Sequence, residues 1–224
     1  MSTVPAVIVF DVNETLSNMS SLGDRFAEVG APAELAEVWF ASLLRDGFAL
    51  TSTGDNTTFA QIGADSLRGL LVARGADTDL DGAVDHIMGS IAGLPLHPDV
   101  PDGIRSLASA GHRLVTLTNG SVATTEKLLT AGGVREEFEA LLSVEDAPVW
   151  KPAPASYGYA AARTGAEPAD LMLVAVHAWD IHGAARAGLR TAWINRSGAD
   201  YPTYFEAPDV TVAALTELAE SLGR

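Results

Sequence analysis

The chain has 224 residues and a formal net charge of −15, and 47% of its residues are hydrophobic. This much apolar material is enough to bury a core, so a disordered chain is excluded. The acidic balance argues against nucleic acid and an anionic membrane surface as partners, because both attract basic faces. A small anionic substrate is still permitted, since local basic residues decide what a pocket binds.

The absence of certain residues and segments narrows the class of protein further. The chain contains no cysteine, which excludes disulfides, thiolate metal sites and cysteine nucleophiles. Residues Met1 to Pro5 carry no basic segment of the kind that begins a signal peptide. No uninterrupted apolar stretch is long enough to span a bilayer. We therefore expect a cytoplasmic protein.

Short apolar runs predict the strands of a parallel sheet, because they are nearly continuous, as in strands covered on both faces. The predicted strands are Val7 to Phe10, Leu114 to Thr118, Leu141 to Val144, Leu171 to Val176, Thr191 to Asn195 and, more weakly, Asp209 to Ala213. Helices are predicted between them, over Asp102 to Ala110, Ser121 to Ala131, Pro154 to Thr164 and Ile181 to Ala187. This alternation indicates an α/β protein with a doubly wound parallel sheet, a Rossmann-like core.

One long segment, from about Ser17 to Leu96, interrupts the alternation with helical patterns alone. Helices are expected over Leu22 to Val29, Ala33 to Leu44, Phe59 to Ala73 and Leu80 to Ile91. About eighty residues far exceed an ordinary connection between a strand and a helix. We predict a helical cap domain, residues 17–96, inserted into a core of residues 1–16 and 97–224. Such a cap can close over a site and exclude water; the alternative is that some of these helices only cover the sheet.

The first predicted strand is followed directly by Asp11, with Thr15 four residues later. In open α/β sheets the reactive crevice lies at the carboxyl ends of the strands. A carboxylate held there is a candidate nucleophile, and the Thr15 hydroxyl is placed to orient it. The alternative for both residues is a capping or turn role at the start of a helix.

Further polar residues follow three later predicted strands, and in a parallel sheet all of them reach the same edge. They are Thr118-Asn119, Lys151 and Asp180. Several such groups with complementary chemistry indicate a catalytic site more strongly than any one of them.

The order of these residues resembles the haloacid dehalogenase superfamily, in which an Asp, a Ser or Thr, a Lys and one or more Asp follow successive strands. The resemblance covers essentially the whole chain, including the helical insertion. Other matches resemble its L-2-haloacid dehalogenase branch: Trp150-Lys151-Pro152, Tyr157, Ala178-Trp179-Asp180, Gly183-Ala184 and Trp193-Ile194-Asn195-Arg196. The resemblance implies metal-independent, cofactor-free hydrolysis of short 2-haloalkanoic acids to 2-hydroxy acids with inverted configuration, and a homodimer.

The resemblance also implies how the reaction is divided among the core residues. Asp11 attacks the carbon that bears the halogen, and water then hydrolyses the resulting ester. The Lys151 charge favours an ionised Asp11 and holds the anionic substrate, unless this lysine is simply a solvated surface residue. Asp180 places the hydrolytic water or orients Lys151.

Four residues are implied as substrate contacts. Thr118 and Asn119 donate hydrogen bonds to the substrate carboxylate, although Asn119-Gly120 is also a common turn pair. Arg45 reaches in from the cap to bind a carboxylate or the departing halide; a plain surface arginine is the alternative. Tyr157 lines the site, or else packs on a helix face.

The chain departs from the family pattern at three positions. Asn13 stands where the phosphatases of the superfamily carry a second Asp, which reduces the candidate Mg²⁺ ligands to Asp11 and Asp180. A phosphohydrolase with a degraded metal site and a non-catalytic ligand-binding protein are the alternative functions. His177 stands where the branch has Asn and is either a base for water or, as we favour, a hydrogen-bond donor. Glu14 replaces a Gly and has no role assigned by the sequence.

Overall fold

The computed structural model describes residues 5–75 and 79–222, and a six-stranded sheet forms its centre. The strands are β1 (Val7–Phe10), β2 (Arg113–Thr118), β3 (Ala140–Ser143), β4 (Leu171–Ala175), β5 (Arg190–Ile194) and β6 (Val210–Val212). Their order is β3-β2-β1-β4-β5-β6, and every neighbouring pair is parallel. The predicted doubly wound parallel sheet is confirmed. The order reverses between β1 and β4, the position where ligands bind in such sheets.

Apolar residues on both faces of the strands explain the continuous hydrophobic runs in the sequence. Along β1, Val7 and Val9 pack into one core cluster while Ile8 and Phe10 pack into the other, and all four are fully buried. β4 divides its side chains between the same two clusters. Two-sided burial therefore places β1 and β4 at the centre of the sheet.

Helices cover the sheet and build the insertion. The core helices are α5 (Val100–Ser109), α6 (Val122–Ala131), α7 (Pro154–Thr164), α8 (Ala178–Arg186) and α9 (Leu215–Leu222), with short 3-10 turns at Arg135–Glu137 and Pro168–Asp170. Among the residues described between β1 and α5 there are four helices: α1 (Leu22–Glu28), α2 (Leu35–Thr53), α3 (Phe59–Ala73) and α4 (Leu80–Ile91). α9 and the two 3-10 turns were not predicted from the sequence, and the other elements match their predictions within three residues, except α2.

The predicted end of α2 at Leu44 was wrong, because the helix continues to Thr53. Gly47 lies inside it, although glycine disfavours helix interiors. A Cβ atom at Gly47 would lie 2.5 Å from Cε3 of Trp150. The glycine is thus required for the close packing of α2 against the loop that carries Lys151.

The inserted helices form their own packed layer and return to the point where they leave the core. Trp39 of α2 is fully buried and donates its indole N–H to the Gly63 carbonyl of α3 at 2.9 Å. An isolated antiparallel bridge joins Ser17 to Leu96 and closes the insertion. The domain boundaries at 16/17 and 96/97 stay a prediction, which this bridge supports. Within the described residues, no helix has the length and apolarity to cross a membrane.

Candidate active site

A buried ionic centre lies at the carboxyl end of β1. The Lys151 ammonium donates to Asp11 Oδ1 at 2.8 Å and to Asp180 Oδ2 at 2.6 Å. Asp11 follows β1, Lys151 precedes α7 and Asp180 lies in the first turn of α8. Lys151 and Asp180 are fully buried, and Asp11 is 4% exposed. The fold thus joins three residues that are distant in sequence into one water-poor cluster.

The cluster holds Asp11 as a carboxylate. Burial alone would raise the pKa of Asp11, but the Lys151 charge and the hydrogen bond from His177 outweigh it and hold that pKa well below its ordinary value. Burial opposes the charge on Lys151, yet the two carboxylates raise the pKa of its ammonium. Burial raises the pKa of Asp180, and the nearby Asp11 charge adds to the rise, while Lys151 opposes it. Asp11 is therefore ionised at neutral pH.

The donor set does not fit a magnesium ion, which prefers several hard oxygen ligands in octahedral geometry. The Lys151 ammonium bridges the two carboxylates that such an ion would need. In residues 5–75 and 79–222 no group of three or more His, Asp or Glu side chains is arranged to hold a metal. Asn13, in the turn after Asp11, supplies an amide rather than a third carboxylate.

Thr15 ties the Asp11 carboxylate to the neighbouring strand. Its hydroxyl donates to Asp11 Oδ2 at 2.7 Å and accepts the N–H of Val176, just after β4, at 3.0 Å. The turn itself is closed by hydrogen bonds from the N–H groups of Leu16 and Ser17 to the Val12 carbonyl. These contacts fix the Asp11 side chain in one orientation.

His177 lies between two carboxylates. Its Nδ1 is 3.1 Å from Asp11 Oδ2 and its Nε2 is 2.7 Å from Glu14 Oε2. Both ring nitrogens can donate only in the imidazolium form. Burial would lower the pKa of His177, but the hydrogen bonds and charges of Asp11 and Glu14 raise it to about 9. His177 is therefore a cation at neutral pH while Asp11 is ionised.

Glu14 reaches His177 from an unusual backbone conformation. Its φ angle is 60°, the left-handed region, which costs an L-residue roughly 1–2 kcal/mol and favours glycine. The turn is held by hydrogen bonds from the Glu14 N–H to Ser17 Oγ at 3.2 Å and between His97 Nε2 and the Glu14 carbonyl at 2.9 Å. The Glu14 carboxylate thus faces the His177 ring, a role that the sequence did not reveal.

The side chains of Asn119 and Tyr157 contact the ionic centre. Asn119 Oδ1 accepts the Lys151 N–H at 3.0 Å, and its Nδ2 donates to the Lys151 carbonyl at 3.3 Å. Tyr157 donates to Asp180 Oδ1 at 2.6 Å, and burial with the Asp180 charge raises the pKa of this phenol well above its ordinary value. Both residues therefore position charged groups of the centre. Thr118, 1% exposed, accepts the Gly120 N–H at 2.9 Å and keeps its own hydroxyl proton to donate.

Arg45 is the predicted site residue that the structure does not bring to the centre. Its side chain is 70% exposed, and its Nε donates to Asp46 Oδ1 at 2.8 Å. Arg45 lies in the same helix, α2, that covers the site, but its guanidinium is turned to solvent. Its role in binding substrate or halide stays a prediction.

Aromatic side chains form the wall above the ionic centre. Trp179 stacks on the His177 ring with 5.0 Å between centroids, and Phe48 packs edge-on against Trp179, also at 5.0 Å. Phe40 lies 6.4 Å from the His177 ring. Sequence reasoning missed Phe40 and Phe48; the signal was two phenylalanines eight residues apart on one cap helix. Among the described residues, the Trp179 indole N–H has no hydrogen-bond acceptor, unlike those of the other tryptophans.

The fold and this site define a class of protein: a parallel α/β core with a helical insertion after β1 and a buried, ionised aspartate at the end of that strand. The sequence model of the family of haloacid dehalogenase-like hydrolases matches residues 5–188. The chain belongs to this family.

Named relatives and solved structures match nearly the whole chain. An (S)-2-haloacid dehalogenase from Pseudomonas sp. (strain YL) is 31% identical over 217 residues, covering 95% of this chain and 92% of the relative. A crystal structure described as a dehalogenase with an intermediate complex has a TM-score of 0.92, 29% identity and full coverage of both chains. An L-2-haloacid dehalogenase from Xanthobacter autotrophicus with chloropropionic acid covalently bound has a TM-score of 0.86 and 25% identity, covering 96% of this chain and 97% of the other.

Proposed function

We propose that the protein hydrolyses short (S)-2-haloalkanoic acids to 2-hydroxy acids of inverted configuration through an ester on Asp11. The observation that carries the proposal is the buried Asp11 carboxylate, ionised and held by Lys151 at 2.8 Å. A desolvated, oriented carboxylate is an effective nucleophile at carbon. The relative with chloropropionic acid covalently bound supports a covalent intermediate in this family.

The first half-reaction is a displacement at C2. Within the described part of the chain, Asp11 Oδ1 accepts one hydrogen bond, from Lys151, whereas Oδ2 accepts two, from Thr15 and His177. We assign the attack to Oδ1, because it keeps more of its electron density for the new bond. The Asp11–C2 bond forms as the carbon–halogen bond breaks, and halide leaves on the opposite side. The Trp179 N–H, which has no acceptor among the described residues, is a donor for the halide, and the Thr118 hydroxyl is a donor for the substrate carboxylate.

The second half-reaction depends on the loss of the Asp11 charge. Esterification turns Asp11 into a neutral group, so one of the two carboxylates that raise the pKa of His177 disappears. His177 then releases its Nδ1 proton to solvent, while Nε2–H still donates to Glu14. The Nδ1 lone pair left by this deprotonation faces the ester and takes a proton from the attacking water, as the oriented histidine of a catalytic triad does. The ester itself converts His177 from a cation into a base.

The two half-reactions balance in atoms and in charge. Water adds to the ester carbonyl, the 2-hydroxy acid leaves with the proton of the transient Asp11 carboxyl group, and His177 keeps the proton taken from water. Asp11 is again a carboxylate and His177 an imidazolium. The sum is one halo acid and one water giving one hydroxy acid, one halide ion and one proton.

Halide release from (S)-2-chloropropanoate, measured with and without EDTA, tests the proposal. We expect release that EDTA does not affect, D-lactate as the product, and no release by the Asp11→Asn variant. Turnover of only the R enantiomer would contradict the stereochemistry. Magnesium-stimulated phosphate release from an aryl phosphate, without halide release, would replace the proposal with a phosphohydrolase. The cytoplasmic location and the homodimer stay predictions.

A further inference from the structure

His97 holds the turn after β1 by two hydrogen bonds. Its ring Nε2 is 2.9 Å from the Glu14 carbonyl, and its backbone N–H donates to the Leu16 carbonyl at 2.9 Å. Burial and the nearby Arg196 charge lower the pKa of His97, so its ring is neutral at pH 7. Because a carbonyl only accepts, the neutral ring carries its proton on Nε2. The ring of His97 is thus a fixed donor to the backbone of Glu14.

His97 lies where the chain returns from the cap to the core. The preceding residue, Leu96, forms an antiparallel bridge with Ser17, and the Asn18 N–H donates to the Pro95 carbonyl at 2.7 Å. The two segments that join the cap to the core are therefore paired with each other. The His97 ring extends from this pair to the turn that follows β1, so the junction of the cap is connected directly to the site.

Glu14 depends on such a contact because packing does not hold it. Its side chain is 43% exposed and lines a cavity of about 660 Å³ together with His97 and His177. The carboxylate therefore has room to turn away from His177. The φ angle of 60° lies in the left-handed region, which disfavours a residue with a Cβ atom. The net strength of one hydrogen bond is of the same order as this cost, so the contact with His97 offsets it.

The neighbouring carbonyl of the turn is held by a different side chain. Arg196 donates from Nη2 to the Thr15 carbonyl at 3.1 Å and from Nη1 to Asp99 Oδ1 at 2.7 Å. Thr15 is the residue whose hydroxyl orients Asp11. Arg196 therefore supports the nucleophile, whereas the ring of His97 supports the residue that faces the base.

We propose that His97 is a positioning residue for ester hydrolysis: its ring holds the Glu14 backbone so that the Glu14 carboxylate meets His177. This inference rests on the proposed function, in which His177 becomes the base for the attacking water. His97 acts through Glu14 and not on the substrate. Its ring should therefore affect the second half-reaction and leave the first unchanged.

Two substitutions separate the hydrogen bond of the ring from its packing. His97→Gln keeps an N–H donor on a side chain of similar reach, whereas His97→Phe keeps a flat ring and removes the donor. The matched control is His112→Phe, because His112 Nδ1 is 3.2 Å from the Pro5 carbonyl. Pro5 precedes β1 and so lies at the opposite end of that strand from Asp11.

The experiment follows single turnovers of (S)-2-chloropropanoate. Halide release measures ester formation, and loss of the protein-bound adduct measures ester hydrolysis. We expect His97→Phe to slow hydrolysis by about 5- to 10-fold, the loss that corresponds to one hydrogen bond of ordinary net strength, with halide release within about twofold of the wild type. His97→Gln should restore hydrolysis to within about twofold, and His112→Phe should match the wild type. Thermal unfolding should show that each variant is folded.

The Glu14→Gly variant tests the route by which His97 acts. Glycine adopts the left-handed conformation without strain and carries no carboxylate, so this variant loses the contact with His177. Adding His97→Phe to Glu14→Gly should slow hydrolysis no further, because the group that His97 positions is already absent. A further loss of about 5- to 10-fold would show that His97 acts by another route and would overturn the proposal.

The pKa of His177, followed by NMR of its ring protons without substrate, separates this proposal from the proposed function. His97→Phe should lower that pKa by up to about one unit, because the Glu14 charge is no longer held against the ring. An unchanged His177 pKa, or equal slowing of ester formation and hydrolysis, would overturn the positioning role alone. Absence of halide release by the wild type would instead overturn the proposed function, and the hydrolytic role of His97 with it.

Discussion

Replacing Glu14 with Gln tests whether this carboxylate holds His177 in its charged form and orients it for hydrolysis. The change keeps the shape and hydrogen-bonding capacity of the side chain but removes its charge. Asp11 and Glu14 together raise the pKa of His177 from 6.5 to about 9. Since Asp11 supplies the larger share and Glu14 is 43% exposed, we expect the pKa to fall by about one unit, or about 1.4 kcal/mol.

The raised pKa of His177 also makes the free energy of unfolding depend on pH. A raised pKa in the folded state contributes stability that is fully present below the unfolded pKa of about 6.5 and is lost as the pH rises through about 9. The wild type should lose about 3 kcal/mol of unfolding free energy over this window from His177, and Glu14→Gln about 2 kcal/mol. Urea denaturation at a series of pH values measures both.

The rate of ester hydrolysis gives a second test of the role of Glu14. A general base contributes roughly 10²–10⁴-fold, so loss of the group that orients it should slow ester hydrolysis by about 10- to 100-fold in single turnovers, with little effect on ester formation. Glu28→Gln is the matched control, since Glu28 Oε2 contacts His86 Nε2 at 2.7 Å on the surface. An unchanged His177 pKa, followed by NMR of its ring protons, together with an unchanged rate would refute the reasoning.

Three further substitutions test other parts of the site. Arg45→Gln should leave kcat/KM within about twofold, because the guanidinium faces solvent and exposed pairs contribute little; a large loss would show that the cap brings it inward during turnover. Trp179→Phe should slow ester formation, seen as the burst of halide, by about 10- to 100-fold because one donor to the developing halide is lost; an unchanged burst would place the halide elsewhere. Lys151→Met should lower the free energy of unfolding by about 3–5 kcal/mol, since it leaves the buried Asp180 carboxylate without a cation and leaves Asp11 with His177 alone; exposed Lys127→Met is the control for this urea measurement, and an equal effect of both would contradict the account.

The sequence predicted the position of the ionic centre because parallel strands deliver their carboxyl ends to one edge of a sheet. Lys151 lies 140 residues after Asp11 and 29 residues before Asp180 in the chain, yet its ammonium contacts both carboxylates. Each residue was identified from its place after a buried strand. The short apolar runs that predict the strands therefore also located the charged residues.

The features that the sequence did not predict depend on orientation rather than on position. The contact between Glu14 and His177 requires a left-handed backbone at a non-glycine residue, which no local pattern indicates. The side of α2 that faces the site depends on how the cap packs against the core. The sequence therefore predicted Arg45 in the site, where the structure instead has Phe40 beside His177. The close approach of α2 to the ring of Trp150 depends on the missing side chain of Gly47. In each case tertiary packing overrides local preference.

The most direct test of the account is the mass of the protein during turnover. In the His177→Ala variant, which keeps Asp11 and Lys151 but lacks both the imidazole and the amide that the branch carries at this position, acid quenching after mixing with (S)-2-chloropropanoate should trap a covalent adduct. We expect a mass increase of one carboxyethyl group, located by peptide mapping on Asp11, with one halide released per site. Full halide turnover by this variant with no adduct, or an adduct on another residue, would contradict the central claim.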